Sequence, residues 1–405
     1  MAPETQPSGW LISVDDHVLE PPHVWTDRLA AKDRQDGPRM VDGPDGEAWV
    51  YEGRVVPTNG LSATVGRRRE DFSPEPLSYR EMRPGCYDPI ARVEDMDRAG
   101  ILASVCFPSF PRFCGQIFWE ASDRRLALLC VRAYNDWMLD EWCAAAPGRY
   151  IPLIILPLWD PAEAAREIER CAARGARAVA FSEDPSPLGL PSIHDPSRYW
   201  DPVFAAAERT DIAVAIHVGS SSTTPAVAEG APFLANLAFG ASRTAATMLS
   251  WLFSGNFQRF PKLRIVLSEG EIGWIPYFLE RAEQVLDKQR FWASRGVGFS
   301  GGLEVGRAGE APAAVDFMDL DVRRDYLDHI YGCFIDDVHG LGNLAMIGED
   351  NVMIETDYPH SDTTWPDSYA VAAARVAHLA PEVQCKILRG NAERVFRFTP
   401  TEPTT

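Results

Sequence analysis

Short runs of β-branched and other apolar residues recur along the chain, and each is followed by a stretch whose apolar positions return at helical spacing. The runs are LISV (11–14), LASVCFP (102–108), YIPLIILP (150–157), ARAVAFS (176–182), DIAVAIHVG (211–219), LRIVLSEG (263–270), HIYGCFI (329–335) and NVMIETD (351–357). Amphipathic helices are predicted between and after them over 123–146, 161–174, 202–209, 274–290 and 368–378. Strands that are apolar on both faces and alternate with helices build parallel βαβ units. Eight such strands predict an α/β fold closed into a (β/α)8 TIM barrel, with the whole chain, 1–405, as one domain.

Two stretches break the repeat. Residues 20–89 are rich in Pro, Gly, Arg and Asp, and residues 220–254 run from polar SSSTT into apolar LANLAFG and MLSWLF. They follow the ends of strands one and five, where barrel enzymes place loops over the active site, so both are expected to be lid-like insertions. The segment 291–324 reads either as a further insertion or as solvated surface, and the tail 398–405 is expected to fray.

Composition narrows the partners. With 39 Lys+Arg against 58 Asp+Glu, the formal charge is −19, and no basic stripe dominates. A nucleic acid or an anionic membrane surface is therefore not an expected partner. No run of 18 or more apolar residues occurs, and MAPETQPSGW has neither a basic nor an apolar leader region, which predicts a cytoplasmic location. The eight cysteines lack CxxC spacing and lie partly inside apolar segments such as LALLCVRAY, so they are expected to be reduced and buried.

Ligand-type side chains gather at strand ends. Asp15, Asp16 and His17 follow strand one, His217 closes strand five, Glu269 strand six and Asp357 strand eight, with His360 three residues on. A barrel brings such ends into one ring, and imidazole nitrogens with carboxylate oxygens from separate strands suit a divalent transition metal. Each has a plainer alternative taken singly: His217 as a core histidine, Asp15 or Asp16 as a cap, Asp357 as a turn residue, Glu269 as the partner of an arginine. Their joint placement is what favours a metal site. Residues two apart share a side of a strand, which pairs Asp15 with His17 and turns Asp16 away. Other histidines, among them His23, His194 and His329, read as structural or exposed.

The segments ISVDDHVLEPP, AIHVGSS, RFPKLRIVLSEGEIGWIPYFLER, ETDYPHSD and LRGNAERVF resemble the amidohydrolase-related metal-dependent barrel family that includes aminocarboxymuconate-semialdehyde decarboxylase. The resemblance covers nearly the whole chain. It implies that the family's HxH motif falls on Asp15 and His17, its strand-five ligand on His217, its strand-eight acid on Asp357 and its strand-six catalytic histidine on Glu269. Two positions depart from the decarboxylase pattern, since an aspartate replaces the first histidine and a glutamate the catalytic one. Strand four, ARAVAFS, also lacks the lysine that hydrolytic relatives carbamylate.

A ring of about three carboxylates with two or three histidines is a donor set that non-heme iron favours. The chain is accordingly also similar to the branch of barrel-fold diiron monooxygenases typified by the diterpenoid hydroxylase of platensimycin and platencin biosynthesis. That likeness implies two Fe ions shared among Asp15, His17, His217, Glu269, Asp357 and His360, with Glu269, Asp357 and His360 in catalytic roles. It further implies O2 as co-substrate, an acyl-CoA or terpenoid substrate and a place in secondary metabolism. The alternatives are a mononuclear Zn or Mn hydrolase or non-oxidative decarboxylase, and a non-catalytic ligand-binding barrel. Arg67, Arg68 and Arg69 form the one dense basic patch and are candidates for CoA phosphates, or a solvated loop. Arg112, just beyond strand two, is a candidate for a substrate carboxylate or thioester, or a salt-bridging residue. Apolar arms make a homodimer a further expectation.

Overall fold

The computed structural model describes residues 9–43, 46–223, 225–293, 297–299, 305–307 and 317–402. All eight expected strands are present and their pairings are parallel. Leu11–Val18, Ile101–Pro108 and Tyr150–Ile151 form one sheet, and Leu153–Ile154, Ala178–Phe181, Ala213–His217, Ile265–Ser268, Ile330–Phe334 and Val352–Ile354 a second, each in that order. The third expected run is split at Pro152, which has no N–H to give to a ladder. The first strand meets the chain just beyond the last strand, where Asp357 N donates to Asp15 O at 3.0 Å and His17 N to Tyr358 O at 2.6 Å.

The expected helices occur as Arg124–Trp137, Pro161–Ala172, Asp201–Thr210, Ile275–Ala293 and Ser368–Val376. Their starts are written in the chain. Asp123 accepts from Leu126 N (3.0 Å) and Asp160 from Glu163 N (2.9 Å), each satisfying an orphan donor of a first turn, and Pro161 takes the position that needs no N–H.

The stretch 20–89 contains more order than its composition predicts. Arg39–Gly43, Gly46–Tyr51 and Arg54–Pro57 make an antiparallel three-stranded sheet. Its second hairpin turns through Glu52 (φ 46°) and Gly53 (φ 75°), the pair of left-handed residues that matches strand twist. Trp49 from this sheet stacks on Phe110 at 4.7 Å and meets Trp25 edge-on at 5.2 Å, so the segment is part of the core. In 220–254, helix Ala241–Leu252 buries Met248, Trp251 and Leu252, whereas Phe233–Ala238 leaves Phe233, Leu234 and Leu237 exposed.

The described part of the tail makes contacts with the body of the protein. Thr401 N donates to Gly148 O at 3.0 Å, and Arg389 pairs with Glu402 at 2.8 Å. Residues 403–405, and 294–296, 300–304 and 308–316 within the expected insertion at 291–324, lie outside the described residues. None of the eight cysteines is in a disulfide, and every one but Cys385 is buried. Among the described residues no helix is long and apolar enough to cross a membrane.

Arg92, fully buried on the helix Pro89–Ala99, ties the first strand to the loop that precedes that helix. Its Nη2 donates to His17 O at 2.5 Å and its Nε to Gly85 O at 2.6 Å, while the guanidinium lies over the Tyr358 ring at 3.9 Å. Arg92→Leu should leave both carbonyls buried and unpaired and destabilise the protein by about 3 kcal/mol, read as a lower urea midpoint. A variant within ~1 kcal/mol of wild type would mean that these carbonyls find other donors.

Candidate metal centre

Because the strands run parallel, their C-terminal ends share one face, and the side chains named from the sequence meet there. Asp15 and His17 lie two apart on the first strand, on one side, and both are buried. Asp16 points the other way. Its Oδ1 accepts from Ser13 Oγ (2.9 Å), Thr356 Oγ1 (2.6 Å) and Tyr358 N (3.0 Å), and its Oδ2 accepts from Ser104 Oγ. It is a brace between strands.

Ligand-type atoms of Asp15, His17, His217 and Glu269 all lie within 4.8 Å of one another, as do those of His17, Asp357 and His360. His217 Nε2 is 2.9 Å from Glu269 Oε2, 3.2 Å from His17 Nε2 and 3.4 Å from Asp15 Oδ2. His17 Nε2 lies 3.4 Å from Asp357 Oδ1, which is 3.0 Å from His360 Nδ1. The ring of His360 stacks on that of His17 at 3.7 Å, so His360 faces the cluster. Phe113 stacks on His217 at 4.0 Å and Phe107 meets it edge-on, closing one side with apolar rings.

Both oxygens of Asp15, and His17 Nδ1, are buried without a hydrogen bond. His217 Nδ1 sits 2.5 Å from Val218 O, and a proton donated there leaves Nε2 as a lone pair facing the cluster. Lone pairs and carboxylate oxygens that converge without donors fit a bound divalent cation.

The electrostatics reflect the crowding. The Asp15 carboxyl is pushed well above its ordinary 3.8 by burial and then by repulsion from Glu355, Glu269, Asp357 and Asp16. Burial also lowers His17, helped by the neighbouring His360 and His217. For His360 burial acts downward, but attraction to Asp357, a hydrogen bond to it, and attraction to Glu269 carry the imidazole above its usual value.

Sequence inspection missed Glu355. It is buried, raised by burial and by repulsion from Glu271, Glu269 and Asp357, and its Oε2 accepts the backbone N–H of Glu269 at 3.1 Å. The signal was the spacing that paired Asp15 with His17, since Glu355 stands two before Asp357.

The arginines fall elsewhere. Arg68 makes a bidentate pair with Asp71 (2.9 and 3.1 Å), and Arg67 donates to Glu81 O at 3.3 Å. Arg112 pairs with Glu120 at 2.5 Å and donates to Ser222 Oγ at 3.3 Å. Arg68 and Arg112 thus each pair with a neighbouring carboxylate while remaining partly exposed. Arg69 acts on Asp362, whose carboxyl is raised mainly by burial and which Arg69 draws back down. Of the remaining histidines, His329 Nδ1–H donates to Leu263 O (2.7 Å) and its ring stacks on Phe257, His194 pairs with Ser250 (2.9 Å), and His23 pairs with Glu141.

The amidohydrolase family model matches residues 23–398. The chain belongs to the amidohydrolase family. A gamma-resorcylate decarboxylase of Rhodococcus jostii (strain RHA1) is 28% identical over 291 residues, which cover 68% of this chain and 79% of the relative. The solved 5-carboxyvanillate decarboxylase of Sphingomonas paucimobilis superposes with a TM-score of 0.61 at 22% identity, over 97% of this chain and 100% of that one. A dihydroxybenzoic acid decarboxylase of Polaromonas sp. JS666, solved with manganese and the inhibitor 2-nitroresorcinol, gives a TM-score of 0.58 at 18% identity over 96% and 97%. At these identities the two structures show a shared fold, that of the amidohydrolase barrels.

These relatives overturn the expectation of a monooxygenase and of oxidoreductase chemistry. They are decarboxylases, which form or break a C–C bond to CO2 without dioxygen, and the one with a named metal holds manganese. Two irons, O2, and an acyl-CoA or terpenoid substrate have no support among them, nor does a role in secondary metabolism.

The raised Asp15 carboxyl gives a pH test of the metal-free protein. A folded-state value above the unfolded one means that Asp15 contributes stability fully present below about pH 3.8 and lost as pH rises through the folded value. The thermal midpoint of the metal-free protein should fall across that rise, and Asp15→Asn should flatten the fall. An unchanged slope in the variant would show that the crowding costs nothing.

Proposed function

We propose that the protein is a metal-dependent, non-oxidative decarboxylase of a hydroxylated aromatic carboxylate. In this proposal the chain is one catalytic domain, its two sheets close into a single (β/α)8 barrel, and 20–89 and 220–254 are insertions over the mouth. The backbone bonds from Asp357 to Asp15 and from His17 to Tyr358 support closure.

Asp15, His17, His217 and Asp357 would hold one Mn or Zn ion, with Glu269 beside His217. When bound, such an ion supplies a Lewis acid that draws in the substrate's carboxylate and an adjacent hydroxyl oxygen. The chain's own groups do the rest. Phe113 and Phe107 present apolar faces beside His217 and keep water from that side. His360 holds a proton at Nδ1 against Asp357 Oδ1, and Asp357 passes it to the ring carbon that bears the carboxylate. The new C–H bond forms there, the C–C bond to the carboxylate breaks, its electron pair restores the aromatic ring, and CO2 leaves. Asp357 then recovers its proton through His360.

What carries this proposal is the position of Asp357 Oδ1, 3.4 Å from His17 and 3.0 Å from His360, between a ligand-type imidazole and a proton-bearing one. The kinship with decarboxylases favours it over hydrolysis, and buried ligand-type atoms left without hydrogen bonds favour a metal-holding site over a merely ligand-binding barrel.

The manganese-loaded protein should release CO2 from 2,6-dihydroxybenzoate or a related hydroxybenzoate under strict exclusion of O2, with one deuterium entering the vacated ring position in D2O. Asp357→Asn should lower kcat by roughly 10²–10⁴-fold. Turnover that requires O2, or no CO2 from any member of a hydroxybenzoate panel, would overturn the assignment.

A further inference from the structure

Glu269 stands immediately after Ile265–Ser268 with φ 53°, a left-handed conformation that side chains other than glycine rarely hold. The turn has little slack. The next residue, Gly270, lies so close to Thr244 that a Cβ there would come within 2.4 Å of its Cγ2. The backbone N–H of Glu269 is satisfied neither by a strand nor by a turn. It is bound by Glu355 Oε2 at 3.1 Å, from a residue that follows Val352–Ile354. In the sheet, Ile330–Phe334 separates that strand from Ile265–Ser268, so the Glu355 side chain reaches across an intervening strand. Glu355 N is itself anchored on Phe334 O at 3.0 Å.

A single backbone N–H needs only a neutral acceptor, yet here it is served by a carboxylate that is 1% exposed, with its second oxygen unbonded. We infer that Glu355 is a positioning residue. By clamping the Glu269 N–H it holds the left-handed turn and aims the Glu269 carboxylate at His217 Nε2, 2.9 Å away. The inference rests on the proposal that this cluster holds a divalent metal, and it adds a group that sets the geometry of that metal's surroundings without touching it. Outer groups of this kind fix the direction of a metal's neighbours, and their loss is felt in metal affinity.

Two conservative variants separate reach from charge. Glu355→Gln keeps the length and an acceptor oxygen, whereas Glu355→Asp keeps the charge but is one methylene short. Mn(II) binding to the full-length protein, followed by the EPR signal of free Mn(II), should weaken about 10- to 100-fold in Glu355→Asp and stay within about 3-fold of wild type in Glu355→Gln. Adding Glu355→Asp to Glu269→Gln should cost little beyond Glu269→Gln alone, because the first acts through the second. Amide hydrogen exchange at Glu269 should quicken in Glu355→Asp and not in Glu355→Gln.

Equal affinities in both variants, equal losses in both, or losses that add in full with Glu269→Gln would each overturn the positioning role. If the wild-type protein binds no Mn(II), the metal reading fails by itself. The exchange measurement then still decides, since unchanged protection of the Glu269 amide in Glu355→Asp would remove the clamp.

Discussion

Burying several carboxylates and imidazoles together, out of water and out of reach of donors, is costly unless something positive joins them. At the C-terminal ends of the strands this chain does so with Asp15, His17, His217 and Asp357, and adds Glu269 and Glu355 beside them. Much of the surrounding structure exists to hold that arrangement against its own repulsion. Arg92 grips the carbonyl of His17, Asp16 ties the first strand to Ser104 and Thr356, and Val218 O fixes the tautomer of His217. A cation with a charge of two turns the same crowding from a liability into a source of affinity, which is why the folded barrel and its metal chemistry are best regarded as one energetic problem.

Much of this was written plainly in the chain. Strands in a parallel sheet are buried on both faces, so each leaves an unbroken apolar run, and residues at its end declare themselves by polarity. That is why His217 in AVAIHVG and Asp357 in MIETD stood out. The alternation that paired Asp15 with His17 follows from strand geometry alone. Other features depend on contacts between distant segments. The sheet formed by Arg39–Gly43, Gly46–Tyr51 and Arg54–Pro57 sits in a stretch dominated by Pro and Gly, and it owes its order to Trp49 packing on Trp25 and Phe110. The contacts of Thr401 with Gly148 and of Glu402 with Arg389 likewise join segments far apart in the chain. Arg68 reads as a free cation until its pairing with Asp71 is seen.

Donor type proved a weak guide to reaction class. An oxygen-rich shell with histidines is compatible with iron and dioxygen, but equally with manganese and a carboxylate substrate, because both ions are hard and accept the same atoms. What separates the two chemistries is how protons and electrons are moved afterwards, and that is not encoded in ligand spacing. The relatives that the chain resembles are decarboxylases, and it is that likeness on which the proposed reaction leans. The chain still differs from a histidine-based proton relay at the sixth strand, where Glu269 stands, and places His360 against Asp357 instead.

Glu269 and Asp357 share one uncommon trait, a backbone in the left-handed region (φ 53° and 50°) just past the end of a strand. The tight bend aims each carboxylate back over the mouth of the barrel. It also complicates ordinary scanning mutagenesis, because alanine or a β-branched side chain at either place perturbs main-chain conformation as well as deleting a carboxylate. Asparagine, which tolerates this conformation, and amide isosteres are the cleaner controls for telling lost chemistry from a relaxed loop.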